Sequence, residues 1–168
     1  MSSREEPCYE ITLLVRDNCL CLHLQRAARA VARRFDQAFR PLDLTNGQFS
    51  LLMSLNRPQP PAIGDVARLL AMDRTTITAN LKPLERRGLI EVGVDKADKR
   101  SRRLRLTLAG RELLAAAVPI WRDTHAATER LVAESGADRL RADLRALTSQ
   151  PSQPSPQRRV LAAEQLSP

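Results

Sequence analysis

A chain of 168 residues can hold one domain with a real core or two small cooperating layers, and a net charge of +8 with a pI of about 10.6 favours a polyanionic partner such as nucleic acid. An aromatic content of 3% argues against RNA or single-strand recognition by base stacking, and no apolar run approaches the ~20 residues that span a bilayer. His23 and His125 are the two histidines, no Gly-rich phosphate loop accompanies them, and the three cysteines follow no secretory signal, so the chain reads as a non-enzyme without cofactor, metal or disulfide framework, cytoplasmic and nucleoid-associated.

Residues 1–10 read as a flexible N-terminus. From about Arg16 to Arg40 the apolar positions Leu20, Leu24, Val31, Phe35 and Phe39 fall at helical spacing, which predicts one long amphipathic helix ending near Pro41. Arg26, Arg29, Arg33 and Arg34 lie on its solvated face. The Thr45-x-x-Gln48 pattern has the form of a capping box and predicts a second helix through Phe49, Leu52 and Leu55. A proline-rich loop leads to a short third helix around Ile63, Val66 and Leu70. Asp73 is suited to cap a fourth helix that Gly88 ends.

Leu89–Val92 and Arg103–Leu106 predict two short strands joined by a wing-like hairpin. Its tip carries Lys96, Lys99, Arg100 and Arg102, and Arg103 and Arg105 follow, against only Asp95 and Asp98. Thr107 can cap a further helix through Leu113, Val118 and Trp121 that Pro119 interrupts. A last helix covers about Ala137 to Leu147, and the tail from Ser149 reads as disordered. The organisation is a flexible start (1–10), an N-terminal dimerisation helix (11–44), a winged helix-turn-helix domain (45–107), C-terminal dimerisation helices (108–148) and a tail (149–168). The fold class is mainly α (α+β), and its broad terminal apolar faces predict a homodimer.

On a helical wheel of the fourth helix, Ile77, Leu81 and Leu84 face a core. Thr75, Ala79, Lys82 and Arg86 take the opposite side, with Thr76 and Thr78 on the shoulders. Short hydroxyl side chains let a helix end approach base edges, where Thr bonds to a base or presents its methyl to a thymine methyl. Arg74, Lys82 and Arg86 suit phosphates. In the wing, Arg100 suits a narrow minor groove, with Asp98 placed to hold its guanidinium and Arg102 adjoining. The expected partner is double-stranded DNA. A winged-helix module that mediates protein interaction without DNA binding is the alternative that the wing's basicity opposes.

At these residues the chain resembles the MarR family of winged helix-turn-helix regulators. The resemblance is carried by Asp98-Lys99-Arg100-Ser101 leading to Leu106-Thr107 and Gly110. Thr75 to Thr78, Leu84 to Leu89 and Leu44-Thr45 with Gln48-Phe49 add to it. It implies a triangular homodimer with terminal helices at the interface and recognition helices in successive major grooves of a pseudo-palindromic operator. It also implies repression relieved by a small ligand or an oxidant. Carried over by position, Thr75, Thr76 and Thr78 lie in the major groove and Arg100 in the minor groove, oriented by Asp98. Ala79 stands where many members have Arg, and Pro83 inside the helix predicts a kink.

The effector signal is less legible. A small molecule entering a cleft between the dimer helices and the winged domain is the default. The alternative is a thiol: Asn18-x-Leu20-Cys21 resembles the organic-hydroperoxide-sensing branch, which makes Cys21, with Cys19, the candidate redox sensor. That branch uses tyrosines near the sulfur, and Tyr9 is the only one here. Residues 19 and 21 point some 200° apart on a helix, which disfavours one metal ion shared between them.

Overall fold

The computed structural model describes residues 8–95, 102–132, 134 and 136–148. The order is α1 (Tyr9–Asn18), α2 (Leu20–Phe39), a 3-10 turn (Arg40–Leu42), α3 (Asn46–Leu55), α4 (Ile63–Leu69), α5 (Arg74–Arg86), β1 (Ile90–Val94), β2 (Arg102–Leu106), α6 (Leu108–Glu129), a second 3-10 turn (Arg130–Val132) and α7 (Ala137–Thr148). The chain divides into two compact units, Met1–Ala127 and Thr128–Pro168. Among the described residues no helix is long and apolar enough to cross a membrane.

The first unit is a winged helix-turn-helix. Its caps are local and follow from residue type. Thr45 Oγ1 accepts from Gln48 N at 3.2 Å and Thr45 N donates to Gln48 Oε1 at 3.1 Å, which completes the capping box of α3. α5 ends at Gly88, whose φ of +68° lies in the left-handed region. There Gly88 N donates to Glu85 O at 2.9 Å and Leu89 N to Leu84 O at 3.0 Å, a Schellman motif that satisfies the last carbonyls.

β1 and β2 pair antiparallel with Ile90 opposite Leu106 and Val92 opposite Leu104. Ile90, Leu104 and Leu106 are buried in the core with Leu52, Val66, Ile77 and Leu84, while Arg103 and Arg105 alternate outward. The strands reach Val94 and Arg102, further toward the wing tip than composition suggests, because pairing continues across Gly93. A third segment joins them: Leu104 N donates to Pro61 O at 3.0 Å, and Ala62 bridges Arg103.

The junction from β2 to α6 is tightly packed. Thr107 N donates to Leu89 O at 3.1 Å, Thr107 Oγ1 donates to Gly88 O at 2.7 Å, and Gly110 N donates to Thr107 Oγ1 at 3.0 Å. A Cβ built on Gly110 would lie 2.0 Å from Leu89 O, a backbone atom with nowhere to retreat. Gly110→Ala is therefore expected to lower stability by about 1–3 kcal/mol through overpacking, read as a lower urea midpoint. An unchanged midpoint would show that the contact between Leu89 and α6 yields freely.

Two expectations change. The long N-terminal helix is two helices. Cys19 takes an extended conformation (φ −73°, ψ 105°) and breaks the run, so residues 9 and 10 belong to α1 rather than to a loose start. His23 Nε2 lies 3.1 Å from Asp17 O across that break. Pro119 does not interrupt α6. α5 runs past Pro83 to Arg86, close to its expected end at Gly88. In each helix one missing backbone bond is outweighed by buried neighbours, Leu81 and Leu84 in α5 and Leu114 and Ala117 in α6. The expected disordered tail, like Asp98 and Arg100, lies outside the described residues.

The apolar stripe of α2 is buried only at its C-terminal end, through Phe35 and Phe39. α1 buries no residue, and Tyr9, Leu14 and Leu20 stand open. In the second unit α7 likewise buries none and exposes Leu140, Leu144 and Leu147. Within that unit Arg141 bonds both Glu129 Oε1 (2.5 Å) and Asp138 Oδ1 (2.6 Å), joining the end of α6 to the start of α7.

Candidate nucleic-acid interface

α4 and α5 meet at a turn in which Ala71 adopts a left-handed φ of +51°. Met72 N bonds Ala67 O at 2.9 Å there, so the turn closes as a Schellman motif with alanine where glycine is cheaper. The next residue but one opens α5. Asp73 Oδ1 accepts from Thr76 N at 2.8 Å and its Oδ2 accepts from Thr76 Oγ1 at 2.6 Å.

These bonds have an electrostatic consequence. The Thr76 hydroxyl, and after it the Thr76 amide, hold the Asp73 carboxyl below the usual carboxylate range. A depressed native value means that the cap stabilises fully above the unfolded value and is lost as pH falls through the native one. An Asp73→Asn variant keeps the cap but does not titrate. The stability difference between parent and variant is expected to shrink as pH drops from neutral through the acid range, measured by urea unfolding at each pH. A difference constant with pH would show that the carboxylate charge contributes nothing to the cap.

The predicted wheel of α5 matches the burial. Ile77, Leu81 and Leu84 are buried, while Arg74, Thr75, Thr76, Thr78, Ala79, Lys82 and Arg86 are exposed along the opposite side. Thr78 Oγ1 donates to Arg74 O at 2.8 Å, so the hydroxyl protons of both Thr76 and Thr78 are engaged within the helix. The Arg74 guanidinium lies over the start of α4, with Nη2 2.9 Å from where a Cβ on Gly64 would sit.

In the wing stem Arg102 and Arg105 are exposed, the latter opposite Glu91. Arg103 is different. Its Nε donates to Asp95 Oδ2 at 2.6 Å and its Nη1 to Pro60 O at 3.2 Å. It holds the wing stem to the loop before α4 while its side chain stays partly open to solvent. Asp98 and Arg100, and the Lys96 and Lys99 beside them, lie outside the described residues. Sequence reasoning also missed Arg87, which donates to Asp43 O at 2.6 Å and fastens the end of α5 to the turn after α2. No local pattern signals a bond between residues 44 apart.

A second feature lies between α3 and α6. Phe49, Met53, Leu69, Val118 and Trp121 line an apolar cleft of about 560 Å³, with Arg122 at its polar side. Phe39 stacks on Phe49 at 4.8 Å, Phe49 on Trp121 at 6.5 Å, and Trp121 on His125 at 4.7 Å. Away from it, Cys21 is exposed and its Sγ accepts from Gln25 Nε2 at 3.2 Å, while Cys19 is half-buried at the helix break. The 200° separation expected of the two cysteines assumed one continuous helix, and Cys19 lies outside it.

The sequence profile of the MarR family matches residues 44–101. The DNA complex of the Mycobacterium tuberculosis transcriptional regulator MosR is 35% identical, with a TM-score of 0.69 over 78% of this chain and 94% of that one. BpsR of Bordetella bronchiseptica, whose DNA binding is regulated by 6-hydroxynicotinic acid, is 26% identical, with a TM-score of 0.71 over 79% of this chain and 94% of that one. The transcriptional activatory protein BadR of Rhodopseudomonas palustris is 31% identical over 99 residues, 57% of each chain. The match thus spans little more than half of that curated relative.

Proposed function

Because the chain belongs to the MarR family of transcriptional regulators, we propose that it is a homodimeric, sequence-specific repressor released from a pseudo-palindromic operator by a small molecule. The observation that carries this reading is the exposed α5 face of Arg74, Thr75, Thr78, Lys82 and Arg86, set on the core by Ile77, Leu81 and Leu84 beside a basic wing stem. Thr75, Thr76 and Thr78 face the major groove, Arg74, Lys82, Arg86 and Arg102 meet phosphates, and Arg100 enters the minor groove with Asp98 orienting it. In this reading residues 11–44 and 108–148 supply the dimer interface and residues 45–107 the winged domain. The open apolar faces of α1 and α7 support a second copy as their cover.

The effector enters the cleft between α3 and α6. A flat aromatic acid, the class that regulates BpsR, can lay its ring on Trp121 and Phe49 and turn its carboxylate toward Arg122. The testing experiment is selection of duplexes from a randomised pool by the purified full-length protein. Enrichment of an inverted repeat bound by a dimer is expected. A monomer in solution, or no sequence enriched at low salt, ends this reading.

A second reading rests on Cys21, whose exposed sulfur accepts a hydrogen bond from Gln25 and is open to a hydroperoxide. Cys21→Ser is then expected to bind DNA normally and to stay bound when peroxide releases the parent. A serine variant that peroxide still releases rules out the Cys21 thiol as the sensor.

A further inference from the structure

We propose that α5 reads the operator through pyrimidine C5-methyl groups, with Thr75, Thr78 and Ala79 forming an apolar seat for a thymine methyl. The proposal rests on the DNA-binding reading above and says what that surface recognises.

The first argument is a hydrogen-bond accounting. Thr78 Oγ1 donates to Arg74 O and Thr76 Oγ1 donates to Asp73 Oδ2. A hydroxyl whose proton is engaged cannot donate to guanine O6 or N7. Turning the Thr78 hydroxyl back onto the helix leaves its γ-methyl as the group offered outward. The second argument is position. Thr75, Thr78, Ala79 and Lys82 follow at spacings of three and four and so share one face.

They line, with Arg74, a shallow depression of about 330 Å³. Ala79 contributes no polar side-chain atom to its floor. Arg74 is drawn aside toward Gly64 and Lys82 closes the far end, so the cations stand at the rim where phosphates pass. Of the four bases only thymine presents an apolar group on its major-groove edge. A surface whose Thr78 hydroxyl is committed to the helix, with Ala79 beside it and cations at the rim, is complementary to that base.

The test uses the full-length protein and the operator recovered by selection from a synthetic pool of unmodified bases, which excludes methylated cytosine as the methyl source. The operator is remade with deoxyuridine at each symmetric pair of thymines in turn, which deletes the methyl and keeps every hydrogen-bonding group. One such pair is expected to weaken binding about fifteen-fold, about four-fold for each buried methyl. The Thr75→Ser/Thr78→Ser double variant keeps both hydroxyls and removes two of the three methyls of the seat, and is expected to discriminate between the two duplexes less than the parent does. Equal binding of thymine and uracil operators by the parent protein overturns the proposal while leaving DNA binding intact. So does a thymine preference undiminished in the double variant, since that preference then owes nothing to the threonine methyls. A pool with no enriched sequence removes the reading on which the proposal rests, and the proposal with it.

Discussion

Phe39→Ala is expected to lower the free energy of unfolding by about 3–5 kcal/mol, the range for emptying a fully buried aromatic site. Phe39 has no exposed surface, stacks on Phe49 at 4.8 Å and meets the tilted ring of Phe35 at 6.0 Å. It occupies the last turn of α2, just before the 3-10 turn at Arg40–Leu42. Removing the ring leaves a cavity that rigid neighbours on two helices cannot close, and it unfastens α2 from α3. Domains of this size have about 5–15 kcal/mol in hand, so the loss is a large part of the total. Urea unfolding followed by the emission of Trp121, the chain's one tryptophan, reads the effect from the neighbouring stack. A loss below about 1 kcal/mol, the scale of a surface substitution, would mean that α2 is held by contacts other than this aromatic chain.

Features set by a few adjacent residues were legible in the sequence. Thr45 with Gln48, Asp73, Gly88 and Thr107 announce caps because side chain and backbone partner lie within three or four residues. The buried line of Ile77, Leu81 and Leu84 follows from the helical period alone. The break at Cys19 was not legible, since neither glycine nor proline marks it and the apolar spacing carries on across it. The role of Arg103 was hidden for another reason: its partner Pro60 is 43 residues away, and a run of basic residues looks alike whether its members face phosphate or their own fold. The recognition threonines fall between these cases. Their position was legible, but the directions of the Thr76 and Thr78 hydroxyls depend on bonds within the turn that residue type does not fix. For Asp98 and Arg100 the assignment rests on family resemblance and position.

Raising monovalent salt from about 50 to 200 mM is expected to weaken operator binding by about 10³–10⁵-fold, the loss that accompanies 6–10 phosphate contacts. The estimate comes from the exposed cations Arg74, Lys82, Arg86 and Arg102, four in each protomer and so about eight in the dimer. Each neutralised phosphate steepens the slope of log K against log salt by about 0.9, so Lys82→Ala in both protomers is expected to flatten it by about 1.8. The control that gives the measurement its meaning is Arg103→Met. Arg103 is bound to Asp95 and Pro60, so its removal is expected to loosen the wing stem and lower affinity at every salt concentration without changing the slope. A mere tally of basic residues predicts the same flattening for Arg103 as for Lys82. Parallel salt plots for the parent and Arg103→Met, with a shallower one for Lys82→Ala, would separate the cation that positions the wing from those that meet the DNA backbone. A slope near zero for the parent protein would leave its positive charge without a role in duplex binding.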